Sequence, residues 1–299
     1  MSTVTAESWR NLKTRGGALD LSRSVKLRLT GPDALRYLNG QVTNDMRRLT
    51  QGNSMRACLC NHKGRLEALV MISLDEAGTF YISADAALYD FLPLRLEKYL
   101  IADNAVLENV TEAFDLVHVF PPANGARGFS ALRLGIPGTD LWLQPGAAGG
   151  YEITDATIIE TLRIERRIPA WEPEMSGGIL PPEARLDESA IDYHKGCYTG
   201  QEVISRLRSV GQVNRRLESL TVRSGMVEPG WQIVARQHNG TFTNAGSITS
   251  AAWHPVRQEG IALGFVKRSA AGAALLAGAI GAEPAAAVEI RKSLDDTEP

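Results

Sequence analysis

Apolar and polar positions alternate over 25–29, which predicts a strand, and Gly31-Pro32-Asp33 then opens a helix with proline in its first turn. Leu35, Leu38 and Val42 recur at helical spacing and predict the buried side of that helix. The polar Thr43-Asn44-Asp45 behind it suits a cap or turn as well as a ligand contact. Strand patterns follow over 54–60, 65–74 and 79–83. They are joined by Asn61-His62-Lys63-Gly64 and Asp75-Glu76-Ala77-Gly78, so an antiparallel meander is expected. Leu88, Phe91, Leu92 and Leu96 predict a helix over 86–100 that Pro93 should kink or break.

Further strands are expected at 106–110 and 116–120, then a loop over 121–128. Leu132-Arg133-Leu134 and Leu141-Trp142-Leu143 flank a Pro-Gly turn. Thr154 or Asp155 caps a helix whose buried side is Ile158, Ile159 and Leu162. Its final turns carry Arg163, Glu165, Arg166 and Arg167, which read as a solvated helix end. The stretch 168–190 is irregular and long enough to suggest a functional loop. Beyond it the pattern turns to five short strands (217–222, 231–235, 245–250, 261–266 and 288–290), predicting a small β-barrel or sandwich that begins near 213. No function attaches to the Ala/Gly-rich 270–287.

One stretch concentrates reactive groups: Asp192-Tyr193-His194-Lys195-Gly196-Cys197-Tyr198-Thr199-Gly200-Gln201-Glu202, running into a helical segment to 210. Glycines four residues apart allow a sharp turn and close backbone approach. Cys197 is expected just ahead of a helix N-terminus with Lys195 two residues away, a setting that favours the thiolate. The plain alternative is a buried cysteine in a glycine-bounded turn. Cys58 and Cys60, at i and i+2 with His62 nearby, share one strand face. With no second pair following, they read as core residues rather than metal ligands.

A length of 299 residues suggests two domains, and 44% hydrophobic with 22% charged residues is ordinary globular composition. A net charge of −2 supplies no global field for nucleic acid or an anionic membrane. Three cysteines make no disulfide framework, and residues 1–20 lack the apolar core of a secretory signal. The longest apolar run, 270–282, is too short to span a bilayer. The reading is a cytoplasmic protein, expected to be a monomer.

Lys195-Gly196-Cys197-Tyr198-Thr199-Gly200-Gln201-Glu202 resembles the signature of the YgfZ family, folate-binding proteins tied to iron–sulfur cluster maturation and related to the glycine-cleavage aminomethyltransferase. Leu38-Asn39-Gly40-Gln41-Val42-Thr43-Asn44-Asp45, Asn61-His62-Lys63-Gly64-Arg65 and Leu162-Arg163-Ile164-Glu165 match further family segments in the right order. So does Pro181-Pro182-Glu183-Ala184-Arg185-Leu186. The resemblance implies an α+β fold in which two α+β lobes and a C-terminal β-barrel surround a central channel for tetrahydrofolate or a one-carbon-substituted folate. Residues 1–212 would form the folate-binding region, with two lobes interleaved in sequence, and 213–299 the barrel. It further implies that Glu165 and Glu183 face the pterin, with Asn44 and Tyr198 as further folate contacts. Lys195 and Cys197 would line the channel as the working pair. An arginine is needed for the glutamate tail, and Arg206 is the candidate taken, with Arg208, Arg215 and Arg216 nearby.

Aminomethyltransferases carry an Asp-Asp pair after the hairpin glycine, where this chain reads Glu67-Ala68, and they lack the motif cysteine. Losing a positioned carboxylate removes the acid–base partner for group transfer. The resemblance therefore favours a folate-dependent accessory protein for iron–sulfur cluster assembly or repair, acting on client or assembly proteins. The alternative is a one-carbon (aminomethyl) transferase or demethylase with Glu67 in place of the aspartate. A thiol enzyme using Cys197 and His194 is a third reading, weakened by the lack of an orienting group.

Overall fold

The computed structural model describes residues 4–122, 128–209, 211–237 and 239–291. Part of the expected loop 121–128, the helical position 210 and the end of the C-terminal region therefore lie outside the described residues. In chain order the chain forms α1 (Ala6–Arg15), β1 (Gly17–Asp20), β2 (Val25–Thr30), α2 (Ala34–Gln41), β3 (Ser54–Cys60), β4 (Leu66–Leu74), β5 (Phe80–Ala84), α3 (Phe91–Glu97) and β6 (Val106–Asn109). Next come β7 (Asp115–Phe120), β8 (Phe129–Ala131), β9 (Gly138–Leu143), α4 (Ala156–Glu165) and α5 (Gln201–Ser209). The last strands are β10 (Arg215–Val222), β11 (Gln232–Arg236), β12 (Phe242–His254), β13 (Glu259–Lys267), β14 (Leu275–Gly278) and β15 (Ala286–Ile290).

The first lobe is a five-stranded sheet in the order β3-β4-β5-β2-β6. Val25, Leu27, Leu59, Val70 and Ile72 on one face bury against Leu38 of α2 and Leu92 and Leu96 of α3. The buried side of α2 is Ala34, Tyr37 and Leu38, whereas Leu35 is exposed, so the expected stripe is rotated by one position. Pro93 is the third residue of α3, where a missing N–H costs no intrahelical bond. The expected break in 86–100 falls just ahead of it, between a 3₁₀ turn at Ala86–Leu88 and α3.

The second sheet has the order β1-β7-β9-β8, so β1 precedes the first sheet in the chain yet belongs to the second. Before it stands α1, capped reciprocally by Thr5 and Ser8, with Trp9 and Leu12 packed beside Phe120, Leu134 and Leu162. The short strand β8 ends at Ala131, ahead of Leu132–Leu134, and 141–143 falls within β9.

A closed barrel, β10-β13-β12-β11-β14-β15, forms the third unit. It has one strand more than the pattern predicts, because β14 lies in the Ala/Gly-rich stretch. There Leu275 and Ala277 turn inward and the small residues hide the period of two. α4 docks on the barrel through a buried polar network. Arg163 donates to Glu174 at 2.9 Å and to Ser250 at 2.6 Å, and Ser250 donates to Glu174 at 2.6 Å. The charged end of α4 is thus interior, not solvated, because its arginine finds a carboxylate and a hydroxyl across the interface.

Candidate functional site

Three of the segments that carry the family resemblance meet at one junction. The turn Asn61–Gly64 between β3 and β4 touches the motif turn at Gly200, whose backbone is left-handed (φ +86°). A Cβ there would stand 2.5 Å from the Asn61 carbonyl. From the other side the motif is tied to the end of α2. Thr199 N–H donates to the Gly40 carbonyl, Asp192 N–H to that of Thr43, and the Thr43 hydroxyl to that of Ala190 at 2.6 Å.

Lys195 is the bolt of this junction. Its buried Nζ donates to the carbonyls of Asn39, Val42 and Asn44 at 2.6–2.7 Å and lies 5.2 Å from the Tyr198 ring centroid. Asn39 belongs to the last turn of α2 and Val42 is its C-cap, so the ammonium meets the negative end of that helix. Burial brings its pKa down to about 8, against the opposing pull of the Asp45 and Asp192 carboxylates. Tyr198 is buried in the apolar cluster that covers the second face of β3 and β4, with Cys58, Cys60 and Ile204.

Cys197 is exposed, while Cys58 and Cys60 are fully buried. Burial pushes the Cys58 thiol up to about 12 and that of Cys60 well above its ordinary value. The three cysteines therefore divide sharply in accessibility.

Between the two sheets and the irregular segment after α4 lies a cavity of about 380 Å³. Ser54, Met55, Arg56 and Met71 come from the first sheet, Leu132 and Gly135 from the loop between β8 and β9, and Arg166–Pro169, Ala184, Arg185, Leu186, Glu188 and Ser189 from the segment. Lys195 and Cys197, expected to line a channel, are not among its walls. Asn44 reaches it only indirectly, donating from Nδ2 to the Arg56 carbonyl at 2.9 Å.

The other expected contacts also lie elsewhere. Glu165 faces α1 and the barrel, meeting His254 at 3.0 Å, Arg257 at 3.1 Å and Lys13 at 3.3 Å. Burial alone would raise its carboxyl pKa, but the His254 hydrogen bond and the Lys13, His254 and Arg257 charges hold it at about 2. Glu183 opens on the barrel side, where it meets Arg215 at 3.5 Å and lines a separate cleft with Arg65, Lys267 and Arg268. Arg206 stands on the exposed side of α5 beside Glu202, while Arg208 stacks on Tyr193 and borders a larger cleft of about 600 Å³. Arg216 pairs with Asp187 at 2.9 Å. Glu67 is held by Arg95 at 2.6 Å, and Arg95 also binds Gln41 and the Cys60 carbonyl.

The basic groups actually at the cavity are Arg56, Arg166, Arg167 and Arg185, which sequence reasoning missed as ligand candidates. For Arg56 a signal existed, since it shares the strand face of Cys58 and Cys60, an odd place for a cation unless something meets it.

Comparison with known proteins agrees with this architecture. Residues 1–126 match the GCVT N-terminal domain. The glycine cleavage system aminomethyltransferase T of Bartonella henselae superposes with a TM-score of 0.78 at 17% identity, covering 92% of this chain and 85% of that one. The chain therefore has a GcvT-like fold. Relatives are the tRNA-modifying protein YgfZ of Klebsiella pneumoniae (25% identical, 75% of this chain, 77% of that protein) and of Serratia proteamaculans (25%, 75% and 76%). The mitochondrial iron-sulfur cluster assembly factor IBA57 homolog of Dictyostelium discoideum is 24% identical over 66% of this chain, and the match spans 60% of that relative's length. Together these findings show a GcvT-like fold and similarity to YgfZ and IBA57 proteins. Among the described residues no helix is long and apolar enough to cross a membrane, and no cluster of three or more His, Cys, Asp or Glu side chains could hold a metal ion.

Proposed function

We propose that this protein acts in iron–sulfur cluster assembly or tRNA modification, the roles for which its relatives are named, and that it binds tetrahydrofolate or a one-carbon-substituted folate between its lobes. The observation that carries the folate reading is the cavity itself: apolar walls from Met55, Met71, Leu132 and Ile168 beside several guanidinium groups. A folate has a flat apolar body and anionic carboxylates, which such a lining suits. Arg56 and Arg166 would meet the anionic end, the methionines the ring faces, and a bound folate would supply a one-carbon carrier.

Cys197 is the exposed thiol of the assembly role, presented to a client or assembly protein on a turn that Lys195 holds rigid. Residues 1–212 form the folate-binding region and 213–299 the barrel, in a cytoplasmic monomer. Aminomethyl transfer is the weaker reading, because Glu67 is engaged by the Arg95 guanidinium instead of standing free for proton transfer.

Titration of the purified protein with tetrahydrofolate, followed by thermal melting, tests the proposal. At a hundredfold excess over Kd, linkage adds about 2.7 kcal/mol of stability. An unchanged melting curve at saturating folate sinks the folate reading. A Cys197→Ser variant that fully restores iron–sulfur enzyme activity to deficient cells sinks the thiol's role.

A further inference from the structure

We propose that the inter-lobe cavity is an oxyanion-recognition site in which Arg56 and Arg166 together take a carboxylate group of the bound ligand. Its walls carry Arg56, Arg166, Arg167 and Arg185 against the single carboxylate of Glu188. That carboxylate is already divided, meeting Arg185 at 2.7 Å, Arg216 at 3.2 Å and Arg167 at 3.3 Å. Arg185 is satisfied further by Glu218 at 2.6 Å.

Arg56 and Arg166 have no share in it. Among the described residues neither has a carboxylate within ion-pair distance. Arg56 spends Nη2 on the Arg133 carbonyl, and Arg133 in turn is committed to Asp140 and Ser83. Asp140 attracts Arg56 without pairing with it, being shared between Arg133 and His118, the latter at 2.8 Å. Burial and the neighbouring Arg133 guanidinium bring the Arg56 pKa down to about 10, against the weaker pull of Asp140. Arg166 keeps its Nε buried with no hydrogen-bond partner. A half-buried guanidinium without an ion-pair partner and an orphaned buried donor each oppose folding, so their persistence at one cavity points to a partner that arrives from outside.

The partner's chemistry follows from the donors. A guanidinium presents N–H groups in a fixed planar fork, which a carboxylate meets with paired acceptors. Two sources could provide it, the glutamyl end of a folate or a free small carboxylate. The folate arm of the test rests on the proposed function above, and the free-anion arm does not.

The full chain and its Arg56→Gln and Arg166→Gln variants are titrated calorimetrically with tetrahydrofolate and with a tetrahydropterin lacking the glutamyl tail. Melting curves are recorded separately with citrate and with no ligand. Each substitution is expected to weaken tetrahydrofolate at least tenfold, to leave the tail-less pterin within twofold, and to abolish any citrate-induced rise in melting temperature. Without ligand Arg166→Gln should melt at or above the wild-type temperature, since an orphaned buried donor has gone. A merely structural arginine would lower it.

If wild type binds citrate but not tetrahydrofolate, and the variants lose citrate, the folate reading fails while the oxyanion site stands. The site is overturned if the variants bind both ligand classes as wild type does, if the tail-less pterin weakens equally, or if wild type responds to neither tetrahydrofolate nor citrate.

Discussion

Replacing Lys195 by methionine should destabilise the first lobe and its junction with the motif, by an amount the geometry bounds. The ammonium makes three short bonds to carbonyls at 2.6–2.7 Å. Hydrogen bonds to a charged group are worth about 1.5–3 kcal/mol each, so their loss removes about 4.5–9 kcal/mol. Against this, burial of the charge is itself unfavourable. A pKa brought from 10.5 to about 8 corresponds to roughly 3.4 kcal/mol that an apolar side chain recovers. The difference lies between about 1 and 6 kcal/mol, centred near 3, which for a chain of this size lowers the melting temperature by about 6 °C. Hydrogen exchange locates the loss. The amides of Asp192 and Thr199, which cross this junction, should exchange faster, while those of the barrel strands keep their protection. A variant that melts within 1 °C of wild type with unchanged exchange at these amides would show that Lys195 is no bolt. Its place in the motif would then have to be explained by chemistry at Cys197.

Glu165→Gln should cost about 3 kcal/mol at neutral pH, the worth of a carboxyl held at about 2 instead of 4.5. Because the folded pKa is depressed, that stability is complete above about 4.5 and lost as pH falls through 2. Wild type and variant should therefore converge in acid unfolding, and a gap that persists at pH 2 refutes this. Gly200→Ala places a Cβ 2.5 Å from the Asn61 carbonyl at φ +86°. It should destabilise by about 2–3 kcal/mol in denaturant unfolding, and a change under 0.5 kcal/mol would contradict the close approach. In the native protein an alkylating agent should modify Cys197 alone, with Cys58 and Cys60 reacting only after denaturation. Comparable native labelling of all three, read by mass spectrometry, would overturn the division between exposed and buried thiols.

The sheet strands of the first lobe were legible because their alternation is regular and their turns end in glycine at Gly64 and Gly78. What escaped depended on partners distant in sequence. β1 has four residues and exists because Gly17–Asp20 pairs with Val117–Phe120, about a hundred positions on. At the site, the motif's sequence neighbours misled. Lys195 and Cys197 stand two apart, yet the lysine turns inward to carbonyls of α2 and the thiol outward. Glu165 and Arg163 looked like a solvated helix end because nothing local reveals that His254 and Ser250 of the barrel will arrive to bury them. The cavity arginines were obscure for the same reason, since a cation's lack of a partner is a property of the folded surroundings alone.

The division between Lys195 and Cys197 also constrains how ligand and thiol can influence one another. Arg56 at the cavity and Cys60 at the motif junction are both on β3, about 13 Å apart along an extended strand. Cys197 is absent from the cavity walls, so a ligand inside does not shield the thiol by contact. A shorter connection runs through the turn after α2: Lys195 Nζ donates to the Asn44 carbonyl, and Asn44 Nδ2 donates to the carbonyl of Arg56. The strand segment that presents the cavity's cation and the turn that presents the thiol are thus fastened to one residue, Asn44. An effect of a bound ligand on Cys197 reactivity that travels by this fastening should weaken when the Asn44 amide is removed, whereas one carried by Thr43, which joins Cys58 to Ala190 and Asp192, should persist.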